Sequence, residues 1–279
     1  MTDVPSGKVP VLEVTMAAWR FLAAHWREFL PAALLLGVVS ALTGGAMMST
    51  QNMGLALMAL AVSTVAGVMF SAAVYRRAIH DKSEGLFSLT LGPDEFRLIG
   101  VSLSLALMFV PLMLLAFLIF QIVIIGRMNV SPAELEALMA DPDAFEAAIL
   151  QAIGPNGAAA FALFILVMLV IAIYVAVRLF MISPATAGER RMVMFQTWSW
   201  SRGNVLPILG AICLTTIPGF LIVSVLGDLV VRLTVGISPQ LGVVTDVIIG
   251  FLGALANIPV LALGALLYKG LRPSDFVAK

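Results

Sequence analysis

The chain has 279 residues, of which 61% are hydrophobic and only 11% are charged, whereas a soluble domain usually carries about 25% charged residues. With a mean hydropathy of +1.06, too few polar side chains remain to cover a water-soluble core. The 16 basic and 16 acidic residues balance to zero net charge. We therefore expect no nucleic-acid partner, because the chain has no strong positive field to attract one.

Cysteine and histidine are nearly absent. The single cysteine, Cys213, excludes an intrachain disulfide and a cysteine-based metal cluster. The only histidines are His25 and His80, which provide little material for a metal site. The composition therefore predicts neither a metal nor a cofactor.

The first predicted element is an amphipathic helix over residues 10–27. An apolar stripe with 4-3-4-3 spacing, typical of one helix face, is formed by Leu12, Met16, Trp19, Ala23 and Trp26. A helix of this kind buries its apolar stripe at the headgroup boundary. We therefore expect residues 10–27 to lie in the membrane interface.

Six apolar runs follow, each reaching the roughly 20 residues that a helix needs to cross the hydrocarbon. They are expected to be helices because unpaired backbone groups cannot face lipid. The predicted fold is all-α: one polytopic integral membrane domain over 1–279, with six transmembrane helices in three hairpins and interfacial amphipathic helices. The predicted spans are 29–49, 53–75, 98–126, 157–182, 205–227 and 243–268, with an outer segment at 127–156 and a cytoplasmic segment at 183–204.

The basic residues predict the orientation of these spans. Only Arg127 and Arg232 fall on one side of the predicted membrane, and the other 14 basic residues fall on the opposite side. Positive residues stay on the cytoplasmic side during insertion, so this split places both termini in the cytoplasm. The basic side comprises Lys8, Arg20, Arg27, Arg76, Arg77, Lys82, Arg97, Arg178, Arg190, Arg191, Arg202, Lys269, Arg272 and Lys279.

Helix boundaries outside the spans have local signals. Ser131 and Glu134 form a predicted capping box with Pro132 at the first helical position. Asp141 before Pro142 starts a second short helix in the same way. In the cytoplasmic segment, Thr186 and Glu189 form another candidate capping box, and Gly203 is a candidate helix stop.

Each pair of spans is preceded by an aromatic residue next to or near an arginine, which suggests a weak internal repeat of three hairpins. The residues are Trp26 with Arg27, Phe96 with Arg97, and Trp200 with Arg202. Pro111 lies fourteen residues after Arg97, and Pro218 lies fourteen residues after Asn204. Parallel repeats of this kind occur in some transporters. The alternative, that apolar sequences with basic flanks simply look alike, stays open.

A family resemblance rests on the stretch from Arg178 to Pro184, on Glu189, and on the run Thr-Trp-Ser-Trp-Ser-Arg-Gly-Asn at 197–204. This region resembles the segment before the fifth span of a broad group of poorly characterised six-helix bacterial membrane proteins. It is also similar to the membrane domain fused to some glycerophosphodiester phosphodiesterases. Thr197 and Trp200 depart from the family pattern, where serine and leucine are usual. The resemblance implies a location in a bacterial cytoplasmic membrane. It does not imply an activity, because this chain has no counterpart of the phosphodiesterase domain.

Motifs for membrane chemistry are missing from the sequence. It contains no His-Glu-x-x-His pair, no phosphate-binding glycine loop before Lys-Ser/Thr, and no Gly-x-Ser-x-Gly elbow. We therefore predict a protein without enzymatic activity, with no catalytic residue and no cofactor-binding residue.

Two non-enzymatic interpretations follow. A third, a membrane-embedded enzyme, would need at least two convergent ionisable groups at one depth, which the spans do not offer. The first is a membrane organiser that binds anionic lipid headgroups or a membrane-protein partner through the cytoplasmic residues Arg178, Arg190, Arg191, Trp198, Trp200 and Arg202. In this segment Glu189 is a candidate partner for a neighbouring arginine. The alternative is a small-solute transporter or channel with a midplane polar site at Thr215, Thr216 and Asn257, although most intramembrane polar residues bridge helices.

Overall fold

The computed structural model describes residues 8–47, 52–83, 88–128, 130–235 and 241–273. Helices account for the regular structure of these described ranges, and the predicted all-α fold is confirmed. The helices are α1 (Val11–Met47), α2 (Met53–His80), α3 (Pro93–Met128), α4 (Pro132–Met139), α5 (Pro142–Leu179), α6 (Ile182–Glu189), α7 (Gln196–Trp200), α8 (Val205–Val235) and α9 (Gly242–Leu271).

Long apolar helices define the class of the protein. Five described stretches have the length and composition needed to cross a membrane: Val11–Gly44, Met53–His80, Ala162–Glu189, Val205–Thr234 and Gly242–Leu271. The chain is therefore an all-α membrane protein. The sixth predicted span, 98–126, lies within the single helix α3, which continues through Pro111.

The predicted interfacial helix at 10–27 and the predicted span at 29–49 belong to one continuous helix, α1, of 37 residues. Pro31 removes a backbone donor inside this helix without ending it. Packing explains the continuity, since Phe29 and Ala33 on either side of Pro31 are buried against α2 and α9. The stabilisation from this packing holds the helix through the proline.

The predicted starts of α4 and α5 are confirmed. The Ser131 hydroxyl accepts the backbone N–H of Glu134 at 3.3 Å, and the Glu134 carboxylate accepts the backbone N–H of Ser131 at 2.7 Å. Asp141 accepts the backbone N–H of Ala144 at 3.2 Å, which caps α5. The helix that starts at Pro142 is short, as predicted, because the backbone leaves helical geometry at Gly154, where φ is 64°, and a second, longer helix follows within α5.

The predicted capping box of Thr186 and Glu189 is wrong. Thr186 lies inside α6, where its hydroxyl accepts the backbone N–H of Val193 at 3.1 Å and lies 3.3 Å from the Val193 carbonyl. The hydroxyl therefore binds the chain after α6 and does not cap the start of a helix. The predicted stop at Gly203 is consistent with the structure, since Gly203 follows α7 with a φ of 79°.

The chain forms two compact units, Met1–Val101 with Val177–Lys279 and, separately, Ser102–Ala176. In the first unit α1 runs antiparallel to α2. The hydroxyls of Thr43 and Ser63 form a 2.7 Å hydrogen bond near one end of the helix pair. Arg77 forms an ion pair with Glu28 at 3.1 Å closer to the other end. Helices α8 and α9 are antiparallel as well, with Thr234 and Thr245 joined at 2.5 Å.

Helix α1 approaches α9 so closely that glycine is required at the contact. A β-carbon added to Gly37 would lie 2.5 Å from the Val247 carbonyl oxygen and 2.8 Å from the Phe251 nitrogen. One added to Gly250 would lie 2.9 Å from the α-carbon of Gly37. These backbone atoms cannot move aside cheaply, so the two glycines fix the distance between the helices.

Several long-range contacts gather one set of helix ends in the first unit. The backbone N–H of Val9 donates to the Asn204 side chain at 3.1 Å, which joins the beginnings of α1 and α8. The Lys269 ammonium donates to the Ala78 carbonyl at 2.9 Å, which joins the ends of α9 and α2. We call this region, where the starts of α1 and α8 meet α6, α7 and the ends of α2 and α9, the basic end.

Candidate membrane-interface site

Arg178 is an anchor inside the basic end. Its side chain is buried, and its guanidinium donates to the Trp198 carbonyl at 2.7 Å and to the Ser201 hydroxyl at 3.3 Å. The same guanidinium lies 5.3 Å from the centroid of the Trp198 ring, within the range of a cation–π interaction. Arg178 therefore positions α7, and one face of the Trp198 ring packs against the Arg178 guanidinium.

Trp200 is also buried, at 7% exposure, with its ring centroid 6.2 Å from that of Tyr268. The Tyr268 hydroxyl donates to Glu189 at 2.6 Å, and Arg272 binds the same carboxylate at 2.6 Å. The expectation that Glu189 pairs with an arginine of its own segment is not met by these contacts. The partner Arg272 lies 83 positions away, beyond the reach of local sequence patterns.

Three of the four remaining predicted residues are exposed. Arg190, Trp198 and Arg202 are exposed, and Arg191 is partly exposed. Phe195 lies between them with 60% of its surface exposed, and sequence analysis did not single it out. We call residues 190–202 the interfacial segment, because exposed aromatic and basic side chains together suit the headgroup layer, where each finds a favourable environment.

The beginning of α1 presents a second outward surface at the basic end. Leu12 and Met16 are 66% and 47% exposed, whereas Val14 and Ala18 are buried in the core. The apolar stripe predicted from spacing therefore points away from the protein over most of its length. Trp26 ends the stripe at 41% exposure.

A buried ion pair that sequence analysis missed fixes the start of α3. Glu95 is 1% exposed and binds Arg76, and it also accepts hydrogen bonds from the Thr90 hydroxyl at 2.8 Å and the Gly92 N–H at 2.9 Å. Burial alone would raise the pKa of Glu95, but the hydrogen bonds from Arg76, Thr90 and Gly92 together lower it. The available signal was half a capping box, with Gly92 before the helix and Glu95 three residues later.

The structure does not bring the predicted midplane residues into one environment. Thr215 is fully buried and donates to the Ala211 carbonyl of its own helix at 2.7 Å. Its neighbour Thr216 is exposed, as is Asn257 on α9. Thr215 satisfies its hydroxyl locally, as threonines in membrane helices commonly do.

Within the described ranges, no three His, Cys, Asp or Glu side chains are grouped so that they could hold a metal ion. Comparison of the chain with protein-family models, curated proteins and solved structures finds no match. The resemblance of the 178–204 region to six-helix bacterial membrane proteins therefore stays a prediction. The fold and the site define an all-α membrane protein with an aromatic and basic surface at one end of its larger unit.

Proposed function

We propose that this protein is a non-enzymatic integral membrane organiser whose basic end binds anionic lipid headgroups at the cytoplasmic interface. The observation that carries the proposal is the interfacial segment, where Phe195 and Trp198 are exposed beside Arg190 and Arg202. In water such exposed aromatic surface would be unfavourable. In the headgroup layer the rings are partly desolvated, and each arginine gains about 1 kcal/mol from an anionic leaflet.

The proposal includes six spans, arranged as three hairpins with both termini in the cytoplasm of a bacterial cell and the spans in its inner membrane. Helix α3 supplies the sixth span, because its 36 residues extend about 54 Å at 1.5 Å per residue. That length exceeds the roughly 30 Å of hydrocarbon. Arg97 near its start and the acidic residues of the segment after it match the charge asymmetry of the other spans.

The length of α1 supports an interfacial role for its beginning. Its 37 residues extend about 56 Å. Even at a tilt of about 40°, the upper end of the observed range, roughly 30 Å of hydrocarbon covers only about 26 of them. The remaining turns lie outside the hydrocarbon, where the stripe containing Leu12 and Met16 meets the headgroups.

The two alternatives receive less support from the described residues. A membrane-protein partner would occupy the same interfacial segment, and copurification of the arginine variants distinguishes it from lipid. Transport through a midplane site would need Thr215, Thr216 and Asn257 to converge, but Thr215 is buried and bonded within α8 while the other two are exposed.

The proposal is tested by measuring lipid preference around the full-length protein reconstituted in mixed phosphatidylglycerol and phosphatidylcholine bilayers. Spin-labelled lipids report the association of each headgroup. Arg190→Gln and Arg202→Gln are each expected to weaken phosphatidylglycerol association about fivefold, equivalent to about 1 kcal/mol per charge. Arg232→Gln is the matched control, since Arg232 is exposed and lies far along α8 from the basic end.

An unchanged phosphatidylglycerol preference in the Arg190→Gln/Arg202→Gln double variant would overturn the lipid proposal. If the same variant instead loses a copurifying membrane protein, a protein partner is the occupant of the interfacial segment. Phe195→Ser separates the contribution of aromatic contact from that of charge, because it removes an apolar ring without changing the number of charges.

A further inference from the structure

An apolar groove runs along α1 beside α9, on the hydrocarbon side of the basic end. Its volume is about 640 Å³, and only apolar atoms line it. Along α1 it extends from Leu30 to Val38, a distance of about 12 Å. The lining residues are Leu30, Pro31, Leu34, Leu35, Val38 and Phe251.

The end of this groove carries an exposed positive charge. Arg27 lies four residues before Pro31, so the two share a helix face, and Leu34 and Val38 continue that face with further steps of three and four. The Arg27 guanidinium lies 5.4 Å from the centroid of the Trp26 ring. Its neighbour Glu28 binds Arg77 and does not neutralise it. A cation thus stands one helical turn above an apolar groove.

We propose that this groove is a binding site for one anionic phospholipid, with an acyl chain along Leu30, Leu34 and Val38 and the phosphate at Arg27. The site deepens the proposed function, on which it rests, by naming the lipid class and a defined position for it. An amphiphile with an apolar tail and a negative head matches both parts of the site, which lie about one helical turn apart along α1. Trp26 at the same level suits the headgroup boundary.

Charge decides against a second copy of the chain as the occupant. Every copy inserts with its basic end on the same side of the membrane, so a neighbouring copy would bring its own basic residues to the depth of Arg27. Like charges at that depth repel. An anionic headgroup supplies the opposite charge.

The test uses the full-length protein reconstituted with a phosphatidylglycerol that carries a photoreactive diazirine in its acyl chain. Labelled peptides are mapped by mass spectrometry. We expect labelling to concentrate on residues 30–38 and on Phe251. Arg27→Gln is expected to reduce this labelling about fivefold, which is about 1 kcal/mol for one charge at an anionic surface. The same probe with a phosphatidylcholine headgroup should be insensitive to Arg27→Gln.

Filling the groove provides an independent variant. Leu34→Trp adds bulk where the side chain is already 51% exposed, so the fold is retained while the groove is occupied. Labelling of residues 30–38 should then fall, whereas Leu57→Trp on the exposed face of α2 should leave it unchanged. Labelling spread evenly over all exposed apolar faces, insensitive to Arg27→Gln and Leu34→Trp, would overturn the site, as would crosslinks between two copies through this face.

Failure of this site and failure of the proposed function give different results. If the groove does not bind lipid but the basic end does, phosphatidylglycerol preference still responds to Arg190→Gln and Arg202→Gln, while acyl-chain labelling is uniform. If the proposed function is wrong, the headgroup preference does not respond to those two variants.

Discussion

The guanidinium of Arg178 holds Trp198 twice, through a 2.7 Å hydrogen bond to its carbonyl and through a ring contact with its centroid 5.3 Å away. The first contact fixes the backbone of α7 and the second fixes the rotamer of the indole. Because Phe195 lies three residues before Trp198 on the same short helical stretch, Arg178 indirectly sets the direction of the outward aromatic surface.

Replacement of Arg178 by lysine is expected to loosen the interfacial segment. Lysine keeps the charge but loses the planar guanidinium that serves the Trp198 carbonyl, the Ser201 hydroxyl and the Trp198 ring together. A lost hydrogen bond from a charged group costs about 1.5–3 kcal/mol. Trypsin cleavage within residues 190–202 should become faster in Arg178→Lys. Arg190→Lys is the control, since Arg190 is exposed, and equal cleavage rates in both variants would contradict the anchoring role.

Tyr268→Phe is expected to weaken the contact between α6 and α9. The variant removes the hydroxyl that donates to Glu189 at 2.6 Å, and a hydrogen bond to a charged group contributes about 1.5–3 kcal/mol. Thermal unfolding in detergent measures the loss. In a Glu189→Gln background the same substitution should cost less, because the charged acceptor is gone. Equal costs in both backgrounds would show that the hydroxyl does not act through Glu189.

The stability of the start of α3 is expected to depend on pH through Glu95. Its folded-state pKa is lowered below the ordinary value of 4.5. The ionised pair with Arg76 therefore contributes fully above about pH 4.5, and its contribution is lost as the pH falls through the lowered folded value. Unfolding free energies measured from about pH 3 to about pH 7 should show this acid slope, and the slope should be smaller in Glu95→Gln.

At neutral pH, Glu95→Gln is expected to cost about 3–5 kcal/mol, because it leaves the buried Arg76 charge without its carboxylate. Asp228→Asn provides the matched control on an exposed ion pair with Arg232, where the expected cost is at most about 0.5 kcal/mol. Similar costs for the two variants would contradict a stabilising role for burial of the Arg76–Glu95 pair.

Gly37→Ala is expected to separate α1 from α9. The added β-carbon would lie 2.5 Å from the Val247 carbonyl oxygen, and overpacking of this kind costs about 1–3 kcal/mol. Gly67→Ala on α2 is the control, because a β-carbon there meets nothing within 4 Å. That substitution should be neutral or stabilise the helix by up to about 1 kcal/mol. Thermal unfolding of the two variants in the same detergent should differ in sign or clearly in size.

The proposed six-span orientation predicts which positions an impermeant thiol reagent reaches. In a Cys213→Ser background, a cysteine at Glu134 should react from outside intact cells, whereas one at Arg202 should react only after the membrane is permeabilised. A cysteine at Asp94 should behave like the one at Arg202, which would establish that α3 crosses the membrane. Labelling of Asp94 and Glu134 from the same side would rule out that crossing.

Sequence alone predicted the all-α class and several helix boundaries, because these depend on local signals. Hydropathy marks long apolar helices, and the exchange between Ser131 and Glu134 needs only four consecutive residues. The stripe through Leu12 and Met16 was predictable for the same reason, since it follows from the period of one helix.

The contacts that shape the candidate site could not be read from local patterns. Glu189 binds Arg272 across 83 positions, and Val9 binds Asn204 across 195. Nor did periodicity distinguish the buried Arg178 from the exposed Arg190, because both are basic residues near the end of an apolar run. Burial of that kind depends on which distant carbonyls and rings the fold brings within reach.

The continuity of α1 makes its two ends mechanically dependent on each other. Leu12 and Gly37 lie on the same continuous helix. At Gly37 this helix packs against Gly250 so closely that no side chain fits between them. A change in headgroup packing that displaces the first turns is therefore expected to change the tilt of α1 at this contact. Lateral tension in the leaflet that surrounds the first turns would then be transmitted along α1 to the contact between Gly37 and Gly250.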